Sequence, residues 1–75
     1  MAKQDLRDVL SENIRAYRQQ NGVSQDEFAA QCGVHRTNVG SVERCERNVT
    51  LATLELFAKA MGCPVPELLS ARKRK

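Results

Sequence analysis

Apolar residues recur along this chain every three or four positions, and four signals break the recurrence. Over about residues 5–20, Leu6, Leu10, Ile14 and Tyr17 follow helical spacing, with Val9 beside them. Asp5 and Asp8 lie early and Arg15 and Arg18 late, an order that complements a helix dipole. Asn21-Gly22 closes this first segment. Ser24 opens a second, about 25–32, and Glu27 three residues on completes a capping box. Phe28, Ala29 and Cys32 form its inner face, and Cys32-Gly33 ends it. A third helix is expected over about 36–44, with Val39 and Val42 turned inward. Asn48 and Thr50 separate it from a fourth over about 51–61, which Thr50 caps and which buries Leu54, Phe57, Ala58 and Met61. Gly62-Cys63-Pro64 precedes a fifth, starting at Pro64 or Val65 and turning Val65, Leu68 and Leu69 inward; proline suits a first helical turn. No segment alternates as a half-buried strand does. The pattern predicts a compact all-α domain of five short helices with short connections.

Composition narrows this picture. At 75 residues the chain has room for one small core. Tyr17, Phe28 and Phe57 are its only aromatics, so Leu, Val, Ile and Ala must fill most of that core, which suits packed helices. No run approaches the roughly 20 apolar residues that span a bilayer. The opening residues lack the apolar stretch of a secretory signal, so a cytoplasmic location is expected, with no membrane partner. The net charge is +3, but Arg72-Lys73-Arg74-Lys75 alone supplies +4, which leaves −1 for the rest. Any case for nucleic acid must therefore rest on where the cations stand. The domain is expected to span residues 1–71, with 72–75 as a basic, solvated tail. Cys32, Cys45 and Cys63 are odd in number, form no CxxC and have only His35 for company, a poor set for zinc, so free thiols and no metal are expected. With no nucleophile–base pair and no Gly-rich phosphate loop, neither an enzyme nor a cofactor is expected.

Residues 25–44 carry the functional signal. Two short helices flank Gly33-Val34-His35, small Ala29 sits where they would cross, and Gly33 sits where φ > 0 is easiest. This is a helix-turn-helix pattern. The run SQDEFAAQCGVHRTNVGSVERCERN resembles the lambda-repressor/Cro-like, XRE-type helix-turn-helix family. The likeness extends through Gly22-Val23, Leu54, Ala58 and Met61-Gly62, covering roughly residues 11–69. Within that family, Arg36-Thr37, Glu43-Arg44 and Arg47-Asn48-Val49-Thr50 are similar to the controller proteins of restriction–modification systems. The resemblance implies a five-helix DNA-binding fold and a dimeric transcriptional regulator on a two-half-site operator. Its implied partners are double-stranded DNA, a second copy of the chain and RNA polymerase. Activation and repression both stay open.

With Val39 and Val42 buried, a 100° step places Arg36, Thr37, Gly40, Ser41 and Arg44 on the opposite side of the third helix. That face reads as exposed, small and polar, fit for a major groove. Arg36, at the helix start, has the guanidinium to fork onto guanine, and Thr37, Gly40 and Ser41 join it as expected base contacts. Gly40 costs about 1 kcal/mol relative to alanine in mid-helix; either its blank surface serves close approach to the groove or it is tolerated drift, two readings of equal weight. Gln25 at a helix N-terminus, Asn38, Arg44, Arg47 and Asn48 are expected phosphate contacts.

The resemblance also implies a structural salt bridge between Arg18 and Glu43. Such a pair would hold the recognition helix without repelling DNA. Cys45 departs from the glycine or asparagine usual in the family, so either the helix runs on by a residue or the turn differs; its thiol is either incidental, the favoured reading, or, beside Arg44 and Arg47, a candidate for a lowered pKa and oxidation sensing. Leu56, Val65, Pro66 and Leu69 offer more apolar surface than one small core requires, and form the expected dimer surface. An alternative class is an antitoxin or other protein-interaction module built on the same fold.

Overall fold

The computed structural model describes residues 6–46 and 49–70. Among these the elements are α1 (Leu6–Asn21), α2 (Gln25–Cys32), α3 (Arg36–Glu43), α4 (Leu51–Met61) and α5 (Val65–Leu68). Arg47, Asn48 and the tail 72–75 lie outside the described residues. No described helix is long and apolar enough to cross a membrane.

Local chemistry sets the helix ends. Ser24 accepts from the Glu27 backbone N–H at 3.0 Å, and the Ser24 N–H donates to the Glu27 carboxylate at 2.8 Å, a complete capping box. Thr50 caps α4 by accepting from the Thr53 N–H at 3.2 Å. After α2, Gly33 adopts φ 75°. There Val34 N–H reaches Ala29 C=O at 3.0 Å and Gly33 N–H reaches Ala30 C=O at 3.2 Å, which closes the helix in a Schellman turn.

The core gathers Leu10, Ile14, Phe28, Ala29, Cys32, Val39, Val42, Leu54, Phe57, Ala58 and Leu68 from all five helices. Phe28 links the layers: its ring lies 5.6 Å from Tyr17 on α1 and stacks 5.8 Å from Phe57 on α4. α3 packs between α1 and α2, and α5 rests on α4 and α1. Two polar residues, Ser11 and Asn13, are also buried, each aimed at a helix C-terminus. Asn13 Nδ2 donates to Leu68 C=O at 2.6 Å and Ser70 C=O at 3.1 Å, pinning the end of α5. Ser11 does the same for α3. Leu6, which shares the helical spacing of the inner face, is instead 59% exposed, because it opens α1 with Val9 and Leu10 as the first residues to reach the core.

Candidate nucleic-acid interface

α3 is held to the body by its C-terminal end. Ser11 Oγ donates to Glu43 C=O at 2.6 Å, and Arg15 Nη2 reaches the same carbonyl at 2.9 Å. The Glu43 side chain turns inward, only 6% exposed. Arg18 grips it with a two-pronged contact, Nε to Oε2 at 2.7 Å and Nη2 to Oε1 at 2.9 Å. Gln25 Nε2 adds a bond to Oε1 at 3.0 Å. The carboxylate raises the Arg18 pKa through this hydrogen bond, against the opposing effect of burial. One acid of the third helix is thus neutralised internally and ties α1, α2 and α3 together.

The outward face of α3 presents Arg36 and Thr37 fully and Ser41 in part, with Arg44 exposed just past the helix. Asn38 is half-buried. Gly40 departs from expectation. It lies at the centre of this face yet is buried, so it is not a blank surface. A Cβ at Gly40 would stand 3.2 Å from Arg44 Nη1 and 3.6 Å from Gln25 Oε1. Without a side chain of its own, Gly40 leaves a notch, and the Gln25 and Arg44 side chains fold over it. Gln25 is also less free than a phosphate contact would be, since its amide is already bonded to Glu43. Arg44 Nε pairs with Glu46 at 3.1 Å, and Arg36 Nη1 lies 3.5 Å from Asp26 Oδ1. The sequence signals no site role for Asp26, Glu46, Ser11 or Arg15; Arg15 stands out there only as a late cation on the first helix.

Cys45 takes the turn that glycine takes elsewhere. Its φ is 60°, the left-handed region. Cys45 N–H bonds Val42 C=O at 3.0 Å and Glu46 N–H bonds Ser41 C=O at 2.9 Å, the same closure that Gly33 provides for α2. A β-carbon is strained at such a φ. The thiol pKa moves up, opposite to the lowering for which Cys45 was a candidate beside the arginines. The Cys45 Sγ–H donates to Asp8 Oδ1 at 3.0 Å. That bond raises the pKa, burial and the Asp8 charge act the same way, and Ser11 and Arg15 oppose them weakly. The thiolate is therefore disfavoured where a free thiol would begin to ionise. Iodoacetamide should alkylate Cys45 more slowly than an unstructured cysteine between neutral and mildly alkaline pH, and Asp8→Ala should speed it. Equal rates in wild type and Asp8→Ala, read by peptide mass spectrometry, would refute the Asp8 effect. Cys32, in the core, is pushed up to about 11 by burial.

Among the described residues no cluster of His, Cys, Asp or Glu is arranged to hold a metal ion. The profile of the helix-turn-helix family named HTH_3 matches residues 14–68. The chain belongs to that family. α2 and α3 are its helix-turn-helix pair. The chain is 53% identical over 66 residues to Control protein C.SmaI of Serratia marcescens, covering 88% of this chain and 79% of that one. Its fold is similar to the hypothetical transcription factor NHTF from Neisseria, with TM-score 0.86 and 44% identity over 95% of this chain and 82% of that one. It is also similar to the restriction–modification controller protein C.AhdI from Aeromonas hydrophila, with TM-score 0.76 and 34% identity over 83% of this chain and 94% of that one. Within this helix-turn-helix frame, α3 is the second helix of the pair, and the Arg18–Glu43 clamp sits at its C-terminal end.

Proposed function

We propose that this protein is a sequence-specific DNA-binding controller of a restriction–modification system, acting as a dimer on a two-half-site operator. The chain is a helix-turn-helix transcriptional regulator. The observation that carries the finer reading is the outward face of α3: an exposed Arg36 and Thr37 on a helix whose only acid, Glu43, is buried and paired. Such a face enters a major groove without a carboxylate against the bases. Arg36 forks onto guanine O6 and N7, and Thr37, Ser41 and the Gly40 notch adjoin it. Asn38, Arg44, Arg47, Asn48 and the N-terminal end of α2 at Gln25 meet phosphates, which fix register without reading sequence.

The dimer surface is assigned to Leu56, Val65, Pro66 and Leu69. Leu56 is 39% exposed and Pro66 is exposed, while Val65 and Leu69 are half-buried against the core; Leu51 on α4 and Leu6 on α1 are more exposed still, at 76% and 59%. Two half-sites about 34–36 Å apart are expected for such a dimer. Residues 1–71 form the DNA-binding unit, 72–75 add unspecific attraction, and the protein works in the cytoplasm, alongside RNA polymerase and without catalysis of its own.

Selection of bound duplexes from a random pool tests this reading and reports the operator's symmetry. Arg36→Ala should then reduce discrimination against the wrong base by about 1–3 kcal/mol, while Arg47→Ala should weaken all duplexes alike and lower the salt slope by about 0.9. If both variants lose specificity equally, the division into base and phosphate contacts is wrong. If no duplex is selected at low salt, a protein-interaction role such as an antitoxin replaces the proposal.

A further inference from the structure

The cations at the two ends of the α3 face are each held by an exposed carboxylate standing at its edge. Asp26, on the first turn of α2, lies 3.5 Å from Arg36 Nη1; the two side chains are 66% and 70% exposed. Glu46, just beyond the turn at Cys45, lies 3.1 Å from Arg44 Nε, and the far end of Arg44 is folded back over the Gly40 notch. These two acids differ from Glu43, whose carboxylate is buried and saturated by Arg18 and Gln25. An acid at the rim of a DNA-binding face costs affinity, since it faces phosphates. Its pairing with the two arginines that matter most gives it another effect.

We infer that Asp26 and Glu46 are specificity determinants, carboxylates that compete with phosphate for Arg36 and Arg44. The inference rests on the DNA-binding reading of α3 given above. The competition is selective because of which guanidinium atoms are engaged. Asp26 touches Arg36 through Nη1, which leaves its other N–H groups free to fork onto a guanine while the pair persists. Glu46 touches Arg44 through Nε, which leaves its outer nitrogens to meet the operator phosphate assigned to it above while the pair persists. On unrelated DNA, where neither the guanine nor the phosphate stands in register, the same arginines gain only by swinging to other phosphate oxygens, and to do so they must leave their carboxylates. The correct operator is bound with the pairs kept, and wrong sequences are bound with the pairs broken. Exposed ion pairs of this kind shift an equilibrium about two- to fivefold each.

The test compares wild type with Asp26→Asn/Glu46→Gln at fixed ionic strength, by fluorescence anisotropy. The probes are the operator duplex selected above and a scrambled duplex of the same length and composition. Glu55→Gln, exposed on α4, controls for the loss of one negative charge, half of the change in the double variant. The double variant should bind the scrambled duplex about tenfold more tightly and the operator within about twofold of wild type, so the specificity ratio falls at least about fivefold. Glu55→Gln should leave the ratio unchanged. A rise for both duplexes by the same factor would reduce the acids to general repulsion and overturn the inference. So would an unchanged affinity for the scrambled duplex. If wild type itself shows no preference between the duplexes, the reading of α3 as a sequence reader falls, and the inference with it; a preference kept intact in the double variant overturns the inference alone.

Discussion

Replacing Arg18 by methionine is expected to cost about 3 kcal/mol or more of folding stability, read as a lowered urea midpoint by circular dichroism. The reason is what remains behind. Glu43 is 5% exposed, and without Arg18 its carboxylate keeps only the Gln25 amide as a side-chain donor. A buried charge deprived of its partner is among the costliest defects a small fold can carry. Glu43→Gln should cost less, because the amide oxygen still accepts from Arg18 and no charge is stranded; Arg18 itself, 20% exposed, retains contact with water. A domain of this size has on the order of 5 kcal/mol in hand, so Arg18→Met should approach the limit of folding at ambient temperature. A loss below about 1 kcal/mol for Arg18→Met would mean that the carboxylate turns to solvent, and that α3 is not anchored through it. The functional consequence follows from geometry: the clamp joins α3, the helix proposed to read bases, to α1 and α2, so loosening it should also blunt sequence discrimination.

Phe28→Ala is expected to have an effect of similar size, about 3–5 kcal/mol. Phe28 is fully buried and lies between Tyr17 and Phe57. Removing the ring opens a cavity where α1, α2 and α4 meet, and the short helices around it have few other large side chains with which to refill it. The cooperative thermal transition should be lost or shifted sharply downward. Phe28→Leu restores much of the volume and should keep a cooperative transition at a lower temperature. If Phe28→Ala melted within a few degrees of wild type, the ring would not be the link between layers that its contacts imply.

The helices were legible in the sequence because their signals are short-range. Periodic apolar positions, the Ser24–Glu27 box, Thr50 and Gly33 each act within four residues of where they stand, and the structure places α2 and α4 at the boundaries those signals mark. Val39 and Val42 likewise settle which side of α3 is hidden. The Arg18–Glu43 pair was accessible only through the family resemblance, since its partners are 25 residues apart. Cys45 shows a boundary case. The sequence pointed to a longer helix or a different turn there, and the structure has neither: α3 ends at Glu43 and cysteine itself takes the left-handed conformation, at φ 60°.

What the sequence by itself determined is therefore the fold class, the helix limits, the core and the helix that faces outward, all consequences of local periodicity and capping. Tertiary structure alone decided the chemistry on that outward face. It covered Gly40 with Gln25 and Arg44, paired Arg36 with Asp26 and Arg44 with Glu46, and set Asp8 against the Cys45 thiol. It also brought Asn13 to the Leu68 carbonyl across 55 positions of chain. These outcomes depend on crossing angles and on rotamers chosen among competing partners. Both are fixed only when the helices pack, so no period or spacing in the chain records them.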